Sequence, residues 1–164
     1  MRALIERQWQ AGGWLAWLLS PLALLYGLLM RLRAGYYGIA GKRRPAPIFS
    51  LVVGNLTVGG SGKTPLLLAI AARLRQQGRR PALISRGYRA QAPRYPWRVQ
   101  ATDSARQVGD EPLLLARRSG LPVVIGADRH ADIALISGEA DIALLDDGFQ
   151  HLALLPDLAI LVVD

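Results

Sequence analysis

Apolar residues come in short blocks separated by glycine, proline and charge, and the blocks alternate between two lengths. Runs at 48–53, 81–84, 121–125, 141–145 and 158–163 are four to six residues long and almost wholly apolar. Such runs suit strands buried on both faces of a sheet. Between them lie longer stretches with helical spacing. Residues 63–77 place Leu66, Leu67, Ile70, Ala71 and Leu74 on one side and are closed by Gly78. Residues 110–119 and about 127–137 read the same way, the first closed by Gly120. Residues 85–98, SRGYRAQAPRYPWR, have the composition of a loop. Strands and helices alternating at this spacing predict an α/β fold: a mostly parallel sheet with helices on both faces. Ligands in such sheets bind at the carboxyl ends of the strands, so the polar residues just after each run are the ones to inspect.

One block breaks the alternation. From Gly12 to Met30 there are 19 residues without a charged side chain. A helix of about 20 residues crosses a hydrocarbon core. Trp9, Trp14 and Trp17 stand toward its start and Tyr26, Tyr36 and Tyr37 toward and beyond its end, the placement favoured at a membrane interface. Pro21 removes one helix hydrogen bond and can kink the helix. A spanning helix, a helix lying in the interface, a removable signal peptide and a buried core helix compete here. The signal peptide is disfavoured because basic residues, not a small-residue cleavage site, come next.

Charge sharpens this picture. The 164 residues carry a net charge of +8. Residues 1–44 hold Arg2, Arg7, Arg31, Arg33, Lys42, Arg43 and Arg44 against Glu6 alone, so most of the excess lies there. Basic residues flanking an apolar run indicate a membrane surface. A nucleic-acid protein would spread them over a folded face with aromatic platforms, so no nucleic-acid partner is expected. The heavier basic flank follows the apolar run, which puts residues 45–164 on the cytoplasmic side. The expected division is a membrane anchor with its basic flank, 1–44, and a nucleotide-binding domain, 45–164. There is no cysteine, which excludes disulfides and thiolate metal sites.

The chemistry concentrates after the first strand. Residues 54–65 read GNLTVGGSGKTP. Glycines between a strand and a helix let backbone N–H groups curl around a polyphosphate at a helix N-terminus. Lys63 can reach the β- and γ-phosphates, and the Thr64 hydroxyl can ligate Mg²⁺. The strict phosphate-loop pattern has glycine where this chain has Thr57. The loop is therefore a variant, spanning Thr57, Val58, Gly59, Gly60, Ser61, Gly62, Lys63 and Thr64. After the run 141–145 come Asp146 and Asp147, an acidic strand end suited to Mg²⁺. Asp164, at the end of another run, is a rival ligand. In GDEP, residues 109–112, Asp110 and Glu111 open a helix. They read either as a cap or as a general base (Asp110) with a metal-proximal acid (Glu111). Arg86 and Arg129 each follow a strand and could meet phosphate or solvent. Spacing gives His130 and His151 no metal site.

In order, GNLTVGGSGKTP, SRGY (85–88), GDEP and DDGFQH (146–151), behind a hydrophobic N-terminal helix, resemble the tetraacyldisaccharide 4'-kinase family over essentially the whole chain. The resemblance implies a P-loop NTPase-like fold and transfer of the ATP γ-phosphate to the 4'-hydroxyl of a tetraacyldisaccharide 1-phosphate. That reaction gives lipid IV-A at the cytoplasmic face of the inner membrane, with ATP and Mg²⁺ as cofactors. By motif position Asp110 becomes the base, with Lys63 and Asp147 beside it as catalytic residues. Thr64, Asp146 and Glu111 surround the metal, and Arg129, Gln150 and His151 fall around the site. A monomer is expected. Family members are about twice this length, so a truncated product or fragment is expected too, lacking the second lobe, much of the acceptor site and the histidine that the resemblance pairs with the catalytic aspartate. Two rivals are a membrane-tethered P-loop ATPase, whose deviant loop would have lysine at Val58, and a non-catalytic nucleotide-binding module. A GTPase is disfavoured by the lack of an N-K-x-D or T-K-x-D motif.

Overall fold

The computed structural model describes residues 14–39, 41, 43–55, 62–146 and 151–163. The chain divides into two units, Met1–Lys42 and Arg43–Asp164. In the first unit α1 covers Trp14–Ile39. Its 26 residues correspond to a length of about 39 Å. Pro21 sits inside it without ending it. Trp17–Ile39 is long and apolar enough to cross a membrane, and Trp17, Leu22 and Leu24 are exposed.

The second unit holds β1 (Arg44–Pro45), β2 (Phe49–Asn55), α2 (Lys63–Gln76), β3 (Pro81–Ser85), β4 (Trp97–Arg98) and α3 (Ala105–Val108). It continues with α4 (Asp110–Ser119), β5 (Val123–Ile125), α5 (Arg129–Ile136), β6 (Ile142–Asp146), β7 (Leu154–Leu155) and β8 (Leu158–Val162). Six strands form one sheet in the order β4-β5-β3-β6-β2-β8. All its neighbours are parallel except β4, which runs antiparallel to β5. The predicted helix-flanked, mostly parallel sheet is therefore present.

Strand alternation explains the two cores. Leu51, Val53, Leu83, Val123, Ile125, Ile142 and Leu144 point to one face, where Leu67 and Ala71 of α2 and Leu113, Leu115 and Ala116 of α4 cover them. Val52, Ala82, Ile84, Val124, Ala143 and Leu145 point to the other, against Ile133 and Ile136 of α5. Each fully buried Leu, Ile or Val contributes roughly 2 kcal/mol. The central strands are buried at every described position from Ser50 to Gly54 and throughout β3 and β6. They fix the sheet's carboxyl edge in place.

The edge strand β8 is held differently. Asp157 Oδ2 accepts from the backbone N–H of Ser50 at 2.8 Å and from its hydroxyl at 2.9 Å. The N–H of Asp157 donates back to the Ser50 carbonyl at 3.0 Å. Ser50 is fully buried, so this reciprocal pairing also satisfies groups that water cannot reach.

Several elements depart from the sequence reading. β4 lies inside the expected loop 85–98, where Trp97 and Arg98 pair with Ile125 and Val124. β1 and β7 form a two-stranded parallel sheet of their own. The third strand starts at Val123, two residues later than expected. The helix after it starts at Arg129 because the Asp128 carboxylate caps it, accepting from His130 N–H at 3.0 Å and Ala131 N–H at 3.4 Å. That is the N-cap preference of aspartate.

Candidate active site

The ends of four strands, β2, β3, β5 and β6, and the starts of three helices, α2, α4 and α5, lie along the carboxyl edge of the sheet. β2 sits between β6 and β8, while the next strand in sequence, β3, lies on the far side of β6. The next strand of this sheet after β6 is β8, on the far side of β2, so the chain leaves these two neighbouring strands in opposite directions, the arrangement at which α/β sheets open a crevice. After β2 the chain enters α2 through Gly62, whose φ of 73° and ψ of 13° are left-handed and suit glycine. No side chain caps α2, so its first N–H groups gain no partner from the cap residue. Lys63 and Thr64 are its first two residues. Pro65 follows in the first turn, where a missing N–H costs no helix hydrogen bond. Thr57, Val58, Gly59, Gly60 and Ser61 lie outside the described residues, as do Asp147, Gln150 and Asp164.

Residues 47 positions apart meet here. The Thr64 hydroxyl donates to Glu111 Oε1 at 2.9 Å. The phosphate-loop threonine and the GDEP acid are therefore one constellation. Glu111 is in the first turn of α4 together with Asp110. The cap position is held by Gly109, with φ of 89° and no side-chain cap, so the Asp110 carboxylate is not the N-cap of this helix. A methyl group on Gly109 would come within 3.2 Å of the Tyr88 carbonyl oxygen, which locks GDEP against SRGY. Asp146 ends β6, pairs in register with Val53 of β2 and is buried at 5 % exposure.

Arg129 occupies the floor of the same edge, at 2 % exposure. Its Nη1 donates to the Ser85 carbonyl at 3.2 Å, the Gly126 carbonyl at 2.9 Å and Asp132 Oδ2 at 2.8 Å. One guanidinium thereby ties the ends of β3 and β5 together. Its Nε and Nη2 make no hydrogen bond among the described residues. Burial pulls the Arg129 pKa down, Arg86 adds to this by repulsion, and Asp132 and Asp146 oppose both. Asp132 is itself 1 % exposed, and burial pushes its carboxyl up to about 6 despite the pull of Arg129. Its Oδ1 fills the space where a Cβ on Gly126 would stand, so that glycine is sterically required.

Sequence reasoning passed over Asp132. The available signal was the three-residue spacing from Arg129 on one helix face, the ordinary spacing of an ion pair. Arg86 is exposed at the mouth of this edge. The ring Nε2 of His130 lies 3.0 Å from the Arg44 carbonyl, a structural contact. His151 lines a separate cavity of about 190 Å³ with Arg43, Val52 and Leu154.

The donor set is oxygen-rich: a hydroxyl, two carboxylates and a helix N-terminus. Hard divalent cations and phosphate oxygens are what such groups hold. Among the described residues no three acidic or histidine side chains converge as a ready metal cage.

Comparison with known proteins agrees with this geometry. The family model described as tetraacyldisaccharide-1-P 4'-kinase matches residues 15–164. The tetraacyldisaccharide 4'-kinase of Acidithiobacillus ferrooxidans is 51% identical over 99% of this chain and 49% of its own length. That of Aeromonas hydrophila is 44% identical over 98% of this chain and 49% of its own. Among solved structures, LpxK from Aquifex aeolicus in complex with ATP superposes with a TM-score of 0.77 at 34% identity, covering 87% of this chain and 47% of that one. The chain spans about half the length of the curated relatives it matches. With the fold, the motif order and these relatives in agreement, the chain belongs to the tetraacyldisaccharide-1-P 4'-kinase family.

Proposed function

We propose that this chain forms the ATP-binding part of a lipid kinase. The reaction moves the γ-phosphate of ATP to the 4'-hydroxyl of a tetraacyldisaccharide 1-phosphate and yields lipid IV-A and ADP. The observation that carries the reading is the Thr64–Glu111 hydrogen bond, which joins the phosphate loop to the acidic turn GDEP. A donor-phosphate site and an acceptor-activating site have to share an edge in this way for in-line transfer.

In this reading Asp110 accepts the proton of the attacking hydroxyl. The hydroxyl oxygen bonds to the γ-phosphorus as the bond to the β,γ-bridging oxygen breaks. Lys63 neutralises charge on the transferring group, and the loop Thr57 to Gly62 cradles the phosphates through its backbone. Thr64, Asp146 and Glu111 are the residues to hold Mg²⁺, with Asp147 beside them. The ion, when bound, offsets negative charge on the phosphate oxygens. Arg129, held between Ser85 and Gly126, adds a fixed positive charge behind this edge. Gln150 borders the site, whereas His151 belongs to the separate cavity it lines with Arg43 and Leu154.

Residues 1–44 act as the membrane anchor and 45–164 as the kinase domain, working as a monomer on the cytoplasmic face of the inner membrane. From Trp14 to Met30, α1 carries no charged residue and only Ser20 and Tyr26 as polar side chains. An interfacial helix needs a charged or polar face, so the spanning arrangement is favoured. The protein is therefore expected to stay in the membrane pellet after alkaline carbonate washing. Release into the supernatant would leave only the interfacial arrangement.

The direct test uses γ-labelled ATP and tetraacyldisaccharide 1-phosphate in detergent micelles, with the chain in a protein of its relatives' length. Label is expected in the lipid. ATP hydrolysis with no labelled lipid would instead favour a membrane-tethered ATPase.

A further inference from the structure

Beside the GDEP turn lies an open cleft of about 260 Å³, walled by Arg86, Tyr88, Arg89 and Tyr95 and floored by Gly126 and Ala127. It follows β3 and β5, which stand two and three strand positions from β2 in the sheet. At about 4.8 Å per strand, that puts it roughly 10–14 Å to one side of β2. Contact with the donor phosphates is therefore not its role. Its border with GDEP is direct, because Gly109 packs on the Tyr88 carbonyl.

The charge of the cleft is one-sided. No carboxylate is among the described residues that line it, and two guanidinium groups are. Arg86 is close enough to the buried Arg129 for the two charges to repel. The walls are also rigid. Gly87 (φ 66°) presses on the end of β5, where an added Cβ would meet Ile125 at 3.0 Å. The Tyr95 hydroxyl donates to the Ala90 carbonyl at 3.0 Å, and Arg106 Nε donates to Gln91 Oε1 at 3.0 Å.

Arg89 is the anomaly. The Ala90 N–H donates to the Gly87 carbonyl at 2.9 Å and closes a turn with Tyr88 and Arg89 at its centre. Arg89 has φ of 59°, the one described non-glycine residue with a positive φ. Turns of this kind ordinarily place glycine or asparagine there. Strained backbone of this sort clusters where a ligand is gripped. The Arg89 guanidinium stacks 5.2 Å from the centroid of the Tyr88 ring, which orients a charge that would otherwise swing freely.

We infer that this cleft receives a phosphomonoester, the 1-phosphate of the acceptor, and that Arg89 is the residue that sets this specificity. The inference rests on the kinase reading above. An acceptor phosphorylated at position 1 and attacked from position 4' carries its anion away from the reacting hydroxyl. A cationic cleft set to one side of β2 and touching GDEP meets that need. Planar guanidinium groups suit phosphate because their N–H donors match its oxygens in pairs.

The test compares equilibrium binding of tetraacyldisaccharide 1-phosphate and of the same lipid without its phosphate, in neutral-detergent micelles. The wild-type chain is expected to prefer the phosphorylated lipid by about tenfold or more, the size of a charge-assisted hydrogen bond. Arg89→Gly is expected to erase most of that preference while its melting temperature holds or rises, because glycine relaxes the turn. A merely structural arginine would give a stabilised variant with the preference intact, which overturns the inference. Equal binding of both lipids by the wild type also overturns it. So does an equal loss of binding by Arg89→Gly to phosphatidylglycerol vesicles, which would assign the cleft to bulk lipid headgroups. If neither disaccharide binds, the acceptor reading itself fails and the inference goes with it.

Discussion

Replacing Lys63 with alanine, in a protein of its relatives' length, is expected to lower phosphoryl transfer by about 10²–10³-fold, corresponding to roughly 3–4 kcal/mol of lost transition-state stabilisation. This expectation follows from position. Lys63 is the first residue of α2, directly after the left-handed Gly62, so its chain of methylenes starts at the mouth of the phosphate loop. Charge on the γ-phosphoryl oxygens has to be met there as the bond to ADP breaks. Single-turnover transfer of label to the lipid, at saturating ATP, separates this from weakened ATP binding. Lysine is a compact charge and arginine a planar fork, so Lys63→Arg should restore only part of the rate. The residue is half-buried at a helix start, so thermal stability should change by no more than about 1 kcal/mol. An alanine variant transferring at more than a tenth of the wild-type rate would remove Lys63 from the mechanism.

The largest expected loss of stability comes from Asp132→Ala, about 3–5 kcal/mol. Asp132 and Arg129 are 1 % and 2 % exposed and joined at 2.8 Å. Removing the carboxylate strands a guanidinium away from water. A buried pair need not add net stability for its breaking to be costly. Urea unfolding followed by circular dichroism reads the change. The pH dependence gives a second signature. The Asp132 carboxyl titrates near 3.8 without its surroundings and at about 6 in the folded chain. Between those values the folded state holds more protons than the unfolded one, so this residue's contribution to stability falls as pH rises from about 4 to about 6. Wild type measured against Asp132→Asn should show that fall. An Asp132→Ala variant within 1 kcal/mol of wild type would mean that Arg129 reaches water easily.

The parts of the fold legible in the sequence are those where one physical rule dominates. The run at 48–53 becomes β2 because an apolar stretch bounded by proline and glycine has few alternatives. The helix at 63–77 appears as Lys63–Gln76 because the leucine spacing and the terminal glycine agree. β4 was hidden because two residues, Trp97 and Arg98, have no pattern of their own and are strand only through their partner β5. Likewise β1 and β7 exist by pairing with each other. In the site, the phosphate loop and the acidic strand end announce themselves by composition. The link between Thr64 and Glu111 does not, since it depends on two helix starts converging across 47 residues. Asp132 is harder still. An aspartate three residues after an arginine usually sits in water, and only the packing of α5 on the sheet makes it buried.

The pairing of Ser50 with Asp157 separates two tasks that most strands leave to the same side chains. In β8 the apolar residues fill space: Ile160 and Val162 pack inward while Leu158 and Leu161 stay half exposed. A pattern that incomplete would tolerate a one-residue slip, which turns every side chain to the opposite face. The Asp157 carboxylate reads one particular backbone position of β2, 107 residues earlier in the chain, and excludes the slipped alignment. Alignment is thus written in a polar pair and burial in the apolar ones. The hydrophobic residues of β8 can therefore drift among similar side chains without shifting the strand that flanks the phosphate loop.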